Sequence, residues 1–396
     1  MRGGLRLLHF SELLRSCVEE ALLVQNILIS RRVFAARCLR ASAFPLLLSQ
    51  PGVVALTGAV PPSQPAKPWM VSTMTGFVRC DSLGTTLMHE HVLWFGGPRL
   101  EDPGYTPIPT DKRQESVDFA VSLLKAAARV GVNTLVDLTP HRPIDLYQQI
   151  ASRTSVRIVP STGFYRRAKI PKQWAEIEHE NKMEQLMLRE VTEGIGGTKI
   201  RAGIIKIASE SSPLTDWERK VFRAAARVQK ATNIAIATHD GGGAREQFDL
   251  LVNSGATPRR VFLSHVDMAL HDKKRTREQV VEELISIARD GGYMEFDTFG
   301  QESYTPWQDL IFLWRSIIKA GFLNRMFFSM DCNWHWQNGK ETFEGAERPD
   351  ADPDAGRRTY AFMITDAVPK LLKSGFSHEE IHTILVDNPR RFFCAE

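Results

Sequence analysis

The chain has 396 residues, 43% hydrophobic and 24% charged, ordinary proportions for a soluble globular protein and length enough for one large domain with a substantial core. Its net charge of +4 is uneven: residues 1–70 carry eight Lys or Arg against three Glu, and the rest carries 42 basic against 43 acidic residues. The body of the protein therefore has no basic bias, which speaks against nucleic acid as a partner.

Residues 1–70 read as a segment outside the fold, with 71–396 as a single domain. Ser30-Arg31-Arg32-Val33-Phe34 precedes further basic residues, Ala41–Ala66 is free of charge, and Ala55–Ala59 offers small residues suited to cleavage. This resembles a twin-arginine export signal, which implies a periplasmic or secreted protein. Pro45 and Pro51 speak against a membrane span. The alternative is translation from Met70 or Met74 and a cytoplasmic protein. Five cysteines without CxxC spacing imply neither a disulfide framework nor a zinc knuckle, and Cys332 reads as a small buried hydrophobe.

From residue 83 onward strand and helix signals alternate. Apolar runs at Thr85–Val92, Thr134–Leu138, Val156–Thr162, Gly203–Ala208, Ile234–Thr238, Val261–Ser264, Tyr293–Phe296 and Arg325–Met330 read as strands. Helical periodicity occupies Val117–Arg129, Met183–Gly194, Asp216–Lys230, Arg275–Arg289 and Trp307–Lys319. Such alternation implies parallel strands with crossover helices, and eight units fit an α/β fold of the (β/α)8 TIM-barrel class. A doubly wound open sheet is the alternative. Its dinucleotide-binding form lacks support, because no Gly-x-Gly-x-x-Gly follows the first strand. Residues 340–358 read as a long loop, followed by a closing helix over Thr359–Lys373.

The polar residues that end these strands form a pattern. His89 and His91 lie two apart on the first strand and so share a face. Lys206 interrupts the apolar fourth strand, His239 ends the fifth, His265 the sixth and Asp331 the eighth. In a barrel these ends meet at one mouth, and four imidazoles with a carboxylate suit first-row metal ions. An ammonium has no lone pair, so Lys206 among such ligands makes sense once carbon dioxide converts it to an anionic carbamate able to bridge two ions.

The motifs Leu87-Met-His-Glu-His-Val92, Ala202-Gly-Ile-Ile-Lys206, Ala237-Thr-His239, Ser264-His265 and Ser329-Met-Asp331, in this order, resemble the phosphotriesterase family of the amidohydrolase superfamily over residues 72–394. The ending Asp387-Asn-Pro-Arg-Arg-Phe-Phe393 is similar to that family's closing segment. The resemblance implies a hydrolase with two divalent ions per chain, zinc first, with cobalt or manganese as alternatives. It implies that His89, His91 and Asp331 hold the buried ion, His239 and His265 the exposed one, and N6-carboxylated Lys206 bridges them. Asp331 then serves as the proton acceptor.

The substrate is less legible. Tyr165, after Thr162-Gly-Phe, resembles the family's lactonases, whereas Thr298 stands where those carry arginine after Asp297. The expected substrate is a small lactone or carboxylic ester, with a phosphotriester as the alternative and a non-catalytic binding barrel as a lesser one. Tyr165, Trp94, Asp297 and Arg245 are the expected substrate contacts, with Trp334, His335 and Trp336 near the pocket. The oligomeric state is not legible; a homodimer stands as one option.

Overall fold

The computed structural model describes residues 69–93, 108, 110–210, 212–239, 243–337, 340–343, 346 and 351–395. The leader expected over residues 1–70, all but its last two, lies outside the described residues, as does Trp94.

Eight parallel strands form the core of the fold: β3 (Thr86–Glu90), β4 (Thr134–Asp137), β5 (Arg157–Phe164), β6 (Ile204–Ile207), β7 (Ala235–His239), β8 (Val261–Ser264), β9 (Tyr293–Phe296) and β10 (Met326–Phe328). Each pairs with its sequence neighbour in order. The ring closes where β10 meets β3: the His91 N–H donates to the Cys332 carbonyl at 3.1 Å and the Asp331 N–H to the His89 carbonyl at 3.1 Å. This is the (β/α)8 barrel the alternation predicts.

Alternation along the strands sorts two cores. Met88, Val136, Val159, Ile204, Ala235, Ala237, Phe262, Tyr293 and Phe327 fill the interior. Leu87, Leu135, Ile158, Ile205, Ile236, Leu263 and Met294 face the helices. The helices form because their apolar residues recur on one face and their ends are capped. Asp216–Thr232 buries Trp217, Val221, Phe222, Ala225 and Val228, and starts on a capping box of Thr215 and Glu218. Thr276 with Gln279 starts Arg277–Arg289 in the same way; such a cap is worth about 1 kcal/mol. Among the described residues no helix is long and apolar enough to cross a membrane.

Three features depart from the sequence reading. A hairpin, β1 (Met70–Thr73) with β2 (Gly76–Arg79), precedes the barrel. A second, β11 (Trp334–Gln337) with β12 (Lys340–Phe343), takes up part of the stretch expected to be loop. And Cys80 forms a disulfide with Cys394, where no disulfide was expected. The two are 314 residues apart in sequence, and closure of the barrel brings them together at the end where β3 begins and the last helix finishes.

Candidate metal centre

The C-terminal strand ends bring the predicted ligands into two adjacent pairs. The Nε2 atoms of His91 and His89 lie 3.0 and 3.5 Å from Asp331 Oδ1. His239 Nδ1 and His265 Nε2 lie 2.9 Å apart. The rings of His89 and His265 are 4.6 Å between centroids, so the pairs form one cluster. Candidate ligand atoms of His89, His265, Asp297 and Asp331 all fall within 4.8 Å of one another.

The far ring nitrogens fix the orientation. His91 Nδ1 meets Thr139 Oγ1 at 2.8 Å. His89 Nδ1 lies 3.1 Å from Glu295 Oε2 and 3.0 Å from Asp297 Oδ2, and His265 Nδ1 lies 2.8 Å from the same Asp297 oxygen. Carboxylates and hydroxyls behind an imidazole set its tautomer and aim its other nitrogen, the arrangement that metal-ligating histidines need. Asp297, expected as a substrate contact, sits here behind two rings.

The charges suit cation binding. Burial draws His89 down to about 3 and His239 well below its ordinary value, which favours their uncharged forms, whereas at His265 burial is outweighed by the charge and hydrogen bond of Asp297, which raise it. Burial opposes ionisation of Asp331, but His89, His91 and His265 outweigh it and hold the carboxyl far below its usual range. Burial, reinforced by the Asp297 charge, pushes Glu295 well above the carboxylate range.

Lys206 has no exposure. Its Nζ donates to the Thr238 carbonyl at 2.8 Å and reaches Ser264 Oγ at 3.5 Å, with no ion pair to a carboxylate among the described residues. Burial pulls it down to about 8 against the raising pull of Asp331, Glu295 and Asp297, so a fraction is the uncharged amine. Lys206 pairs with Gly163 on β5 and Ala237 on β7. Gly163 has φ +129°, and a Cβ there would stand 2.0 Å from the Lys206 carbonyl oxygen; only glycine fits this approach. The donor set, two pairs of imidazoles with the Asp331 carboxylate and a buried amine that makes no ion pair among the described residues, fits divalent metal ions.

Other residues that shape the site were not singled out from sequence. Asp331 has φ +44° and His265 φ +57°, left-handed conformations that need support in residues with side chains. Glu90, fully buried between the two histidines, supplies it for Asp331 by accepting from Ser329 Oγ and from the Met330 and Cys332 N–H groups. Burial pushes this carboxyl up to about 8. The buried guanidinium of Arg358 donates to the carbonyls of Asp297, Phe299 and Met330, joining the loops that follow β9 and β10. A Glu flanked by metal-binding histidines was the available signal for the first. Nothing local marks the second.

Of the expected substrate contacts, Tyr165 stands at the cluster, its hydroxyl 3.5 Å from His239 Nδ1 and its ring 5.0 Å from that imidazole. Thr298, in the place of arginine, donates through its hydroxyl and N–H to buried Asp267 at 2.7 and 3.1 Å. Arg245 is not brought to the cluster: Asp249 and Asp290 hold its guanidinium at 2.6 and 2.7 Å between outer helices. Trp334 and Trp336 are engaged in packing, their indole N–H groups donating to the Val92 carbonyl and to Ser116 Oγ. Cys332 is buried as expected.

The sequence pattern of the phosphotriesterase family matches residues 69–393. The chain is 30% identical over 335 residues to a phosphotriesterase homology protein of Mycobacterium tuberculosis, covering 82% of this chain and 97% of that one. It is 26% identical over 363 residues to an N-acetyltaurine hydrolase of Xenopus tropicalis, covering 81% and 97%. A variant of the organophosphorus hydrolase of Deinococcus radiodurans superposes with a TM-score of 0.68 at 29% identity, over 83% of this chain and 98% of that one. With the barrel and the His/Asp cluster, these likenesses make the chain a member of the phosphotriesterase family of the amidohydrolase superfamily, a metal-dependent hydrolase.

Proposed function

We propose that this protein uses two divalent ions, zinc first among them, to hydrolyse a lactone or simple carboxylic ester. The observation that carries this reading is the gathering of two pairs of imidazoles at the strand ends, together with a fully buried Lys206 that makes no ion pair with a carboxylate among the described residues. His89, His91 and Asp331 would hold one ion, His239 and His265 the other, and carboxylated Lys206 would lie between them; all-nitrogen-and-oxygen donors of this kind suit zinc, with cobalt and manganese as substitutes. When bound, such ions lower the pKa of a shared water and polarise the carbonyl under attack. Asp331, a quarter exposed, would accept a proton at its carboxylate and pass it to solvent. The Tyr165 hydroxyl, beside the ligating nitrogen of His239, donates to a ring or alkoxy oxygen as the tetrahedral centre forms.

Acyl chemistry within reach of this fold is supported by the relative named for hydrolysis of an N-acetyl compound. The second reading, a phosphotriesterase, is favoured by the likeness to the organophosphorus hydrolase. A panel of lactones, carboxylic esters and organophosphate triesters on metal-loaded protein decides between them. The expected result is a kcat/KM for the best acyl substrate at least about tenfold above that for any triester, about 1.4 kcal/mol of transition-state preference. A preferred triester overturns the acyl reading. Tyr165→Phe should lower acyl turnover several-fold more than triester turnover.

We further propose that the protein is exported folded, through the signal at Ser30–Phe34. The Cys80–Cys394 disulfide supports this, since such bonds persist in oxidising compartments. A metal site assembled from five strands exists only after folding, which favours a route for folded chains. Fractionation and N-terminal sequencing test it: a mature start near residues 60–70 is expected, and an unprocessed cytoplasmic start at Met70 refutes it.

A further inference from the structure

Arg166 is a cation at the mouth of the barrel without an anionic partner among the described residues. It follows Tyr165 just beyond β5, and its guanidinium carbon lies 5.9 Å from the Tyr165 ring centroid. That ring stands 5.0 Å from the His239 imidazole, so the guanidinium borders the second histidine pair. Its Nε is buried with no hydrogen-bond partner. Neighbouring arginines are committed: Arg142 to the Ser161 carbonyl at 2.7 Å and to Asp137 at 3.6 Å, Arg167 to Glu178, Arg358 to three carbonyls.

A half-buried guanidinium whose Nε is cut off from water and unpaired, beside a site built to bind cations, is unfavourable twice over, through the lost hydration of that N–H and through like-charge repulsion. Both terms are offset when an anion occupies the fork, because a planar carboxylate or a sulfonate accepts two charge-assisted hydrogen bonds from it. Resting on the hydrolase reading above, we propose that Arg166 binds an anionic group, a carboxylate or sulfonate, on the part of the acyl substrate that does not react. The preferred substrate is then an anionic ester rather than a neutral one, and Arg166 sets that preference from the rim next to Tyr165.

The test uses a pair of acetyl esters that differ only in charge, O-acetylglycolate and O-acetylglycolamide, on the metal-loaded protein. In the wild type kcat/KM should favour the anion at least about tenfold. In Arg166→Met the preference should collapse towards unity, chiefly through KM, and Arg166→Lys should restore part of it. Metal content equal to wild type confirms that the variants fold. Calorimetric titration of the same proteins with propane-1-sulfonate and propane-1-sulfonamide reads the fork without any bond being cleaved. Tighter sulfonate binding that Arg166→Met abolishes is the expected result. A sulfonate affinity no better than that of the sulfonamide, or one that Arg166→Met leaves intact, overturns the proposal. If neither ester is hydrolysed, the acyl-hydrolase reading falls on its own and the sulfonate titration still decides Arg166.

Discussion

Replacing Glu90 by Gln should loosen the loop that carries Asp331 without touching a ligand. In the native protein Glu90 Oε1 accepts from Ser329 Oγ at 2.8 Å and the Met330 N–H at 2.9 Å, and Oε2 accepts from the Cys332 N–H at 2.8 Å. Glutamine has the same shape, so its oxygen can keep the first two bonds. Its NH2 then faces the Cys332 N–H, donor against donor, in a place without solvent. One buried N–H stripped of its acceptor costs about 1–3 kcal/mol, and Glu90→Leu, which strips two, roughly twice that. Urea unfolding of metal-free protein reads the loss in stability, and metal stoichiometry after dialysis reads the loss at Asp331, whose φ of +44° those bonds hold. Glu90→Gln should lose both stability and the ion of the first pair. A variant within about 0.5 kcal/mol of wild type that also keeps its full metal content would refute the positioning role.

Other perturbations separate the centre from the scaffold. His89→Ala or His91→Ala should lose one ion and nearly all hydrolysis, by metal analysis and turnover; retention of both metals would sink the assignment. Lys206→Ala should be inactive and partly rescued by a short carboxylic acid, whereas Lys206→Arg, unable to form a carbamate, should stay inactive; wild-type turnover in Lys206→Arg would make the lysine structural. Cys80→Ser opens a loop of 314 residues and should lower unfolding stability by about 2–5 kcal/mol, with an unchanged urea midpoint as the contrary result. His141 packs 5.0 Å from the Trp174 ring and 6.2 Å from Phe164, and burial with the Arg142 charge draws it down to about 3. The unfolded chain takes up that proton near pH 6.5, so stability is full above this pH and falls by about 1.4 kcal/mol per unit below it. Between pH 7 and 5, His141→Phe should remove about 2 kcal/mol of the loss; an acid slope equal to wild type would refute the buried, uncharged histidine.

The barrel was legible because its strands are buried on both faces and read as apolar runs, while each helix shows one apolar side. The candidate ligands stood out because each polar residue interrupts or ends such a run: Lys206 inside Ile204–Ile207, His239 after Ala235–Thr238, Asp331 after Met326–Phe328. Arg245 follows a strand in the same way, yet Asp249 four residues on was a visible rival for its charge, and that local pair won. The second hairpin also had its signal: Asn338-Gly339 sits between Trp334–Gln337 and Lys340–Phe343, the dipeptide most typical of two-residue hairpin turns. The disulfide and the Arg358 contacts had none. Both join segments distant in sequence, and only the closed ring defines which carbonyls or thiols become neighbours.

The same ring explains how a lysine comes to be tolerated in its interior. Towards the start of the strands the interior is filled by rings, Phe262, Tyr293 and Phe327 packed against Phe392 with centroids 4.9 to 5.6 Å apart. Beside Lys206 the paired positions are Gly163 and Ala237, the two smallest side chains available, and at Gly163 the backbone comes so close that a Cβ would stand 2.0 Å from the Lys206 carbonyl oxygen. A buried ammonium alone at this level carries a desolvation penalty. On the proposed reading, an anionic carbamate between two cations would remove that penalty, and the small residues around Lys206 would then belong to the centre as much as the histidines do.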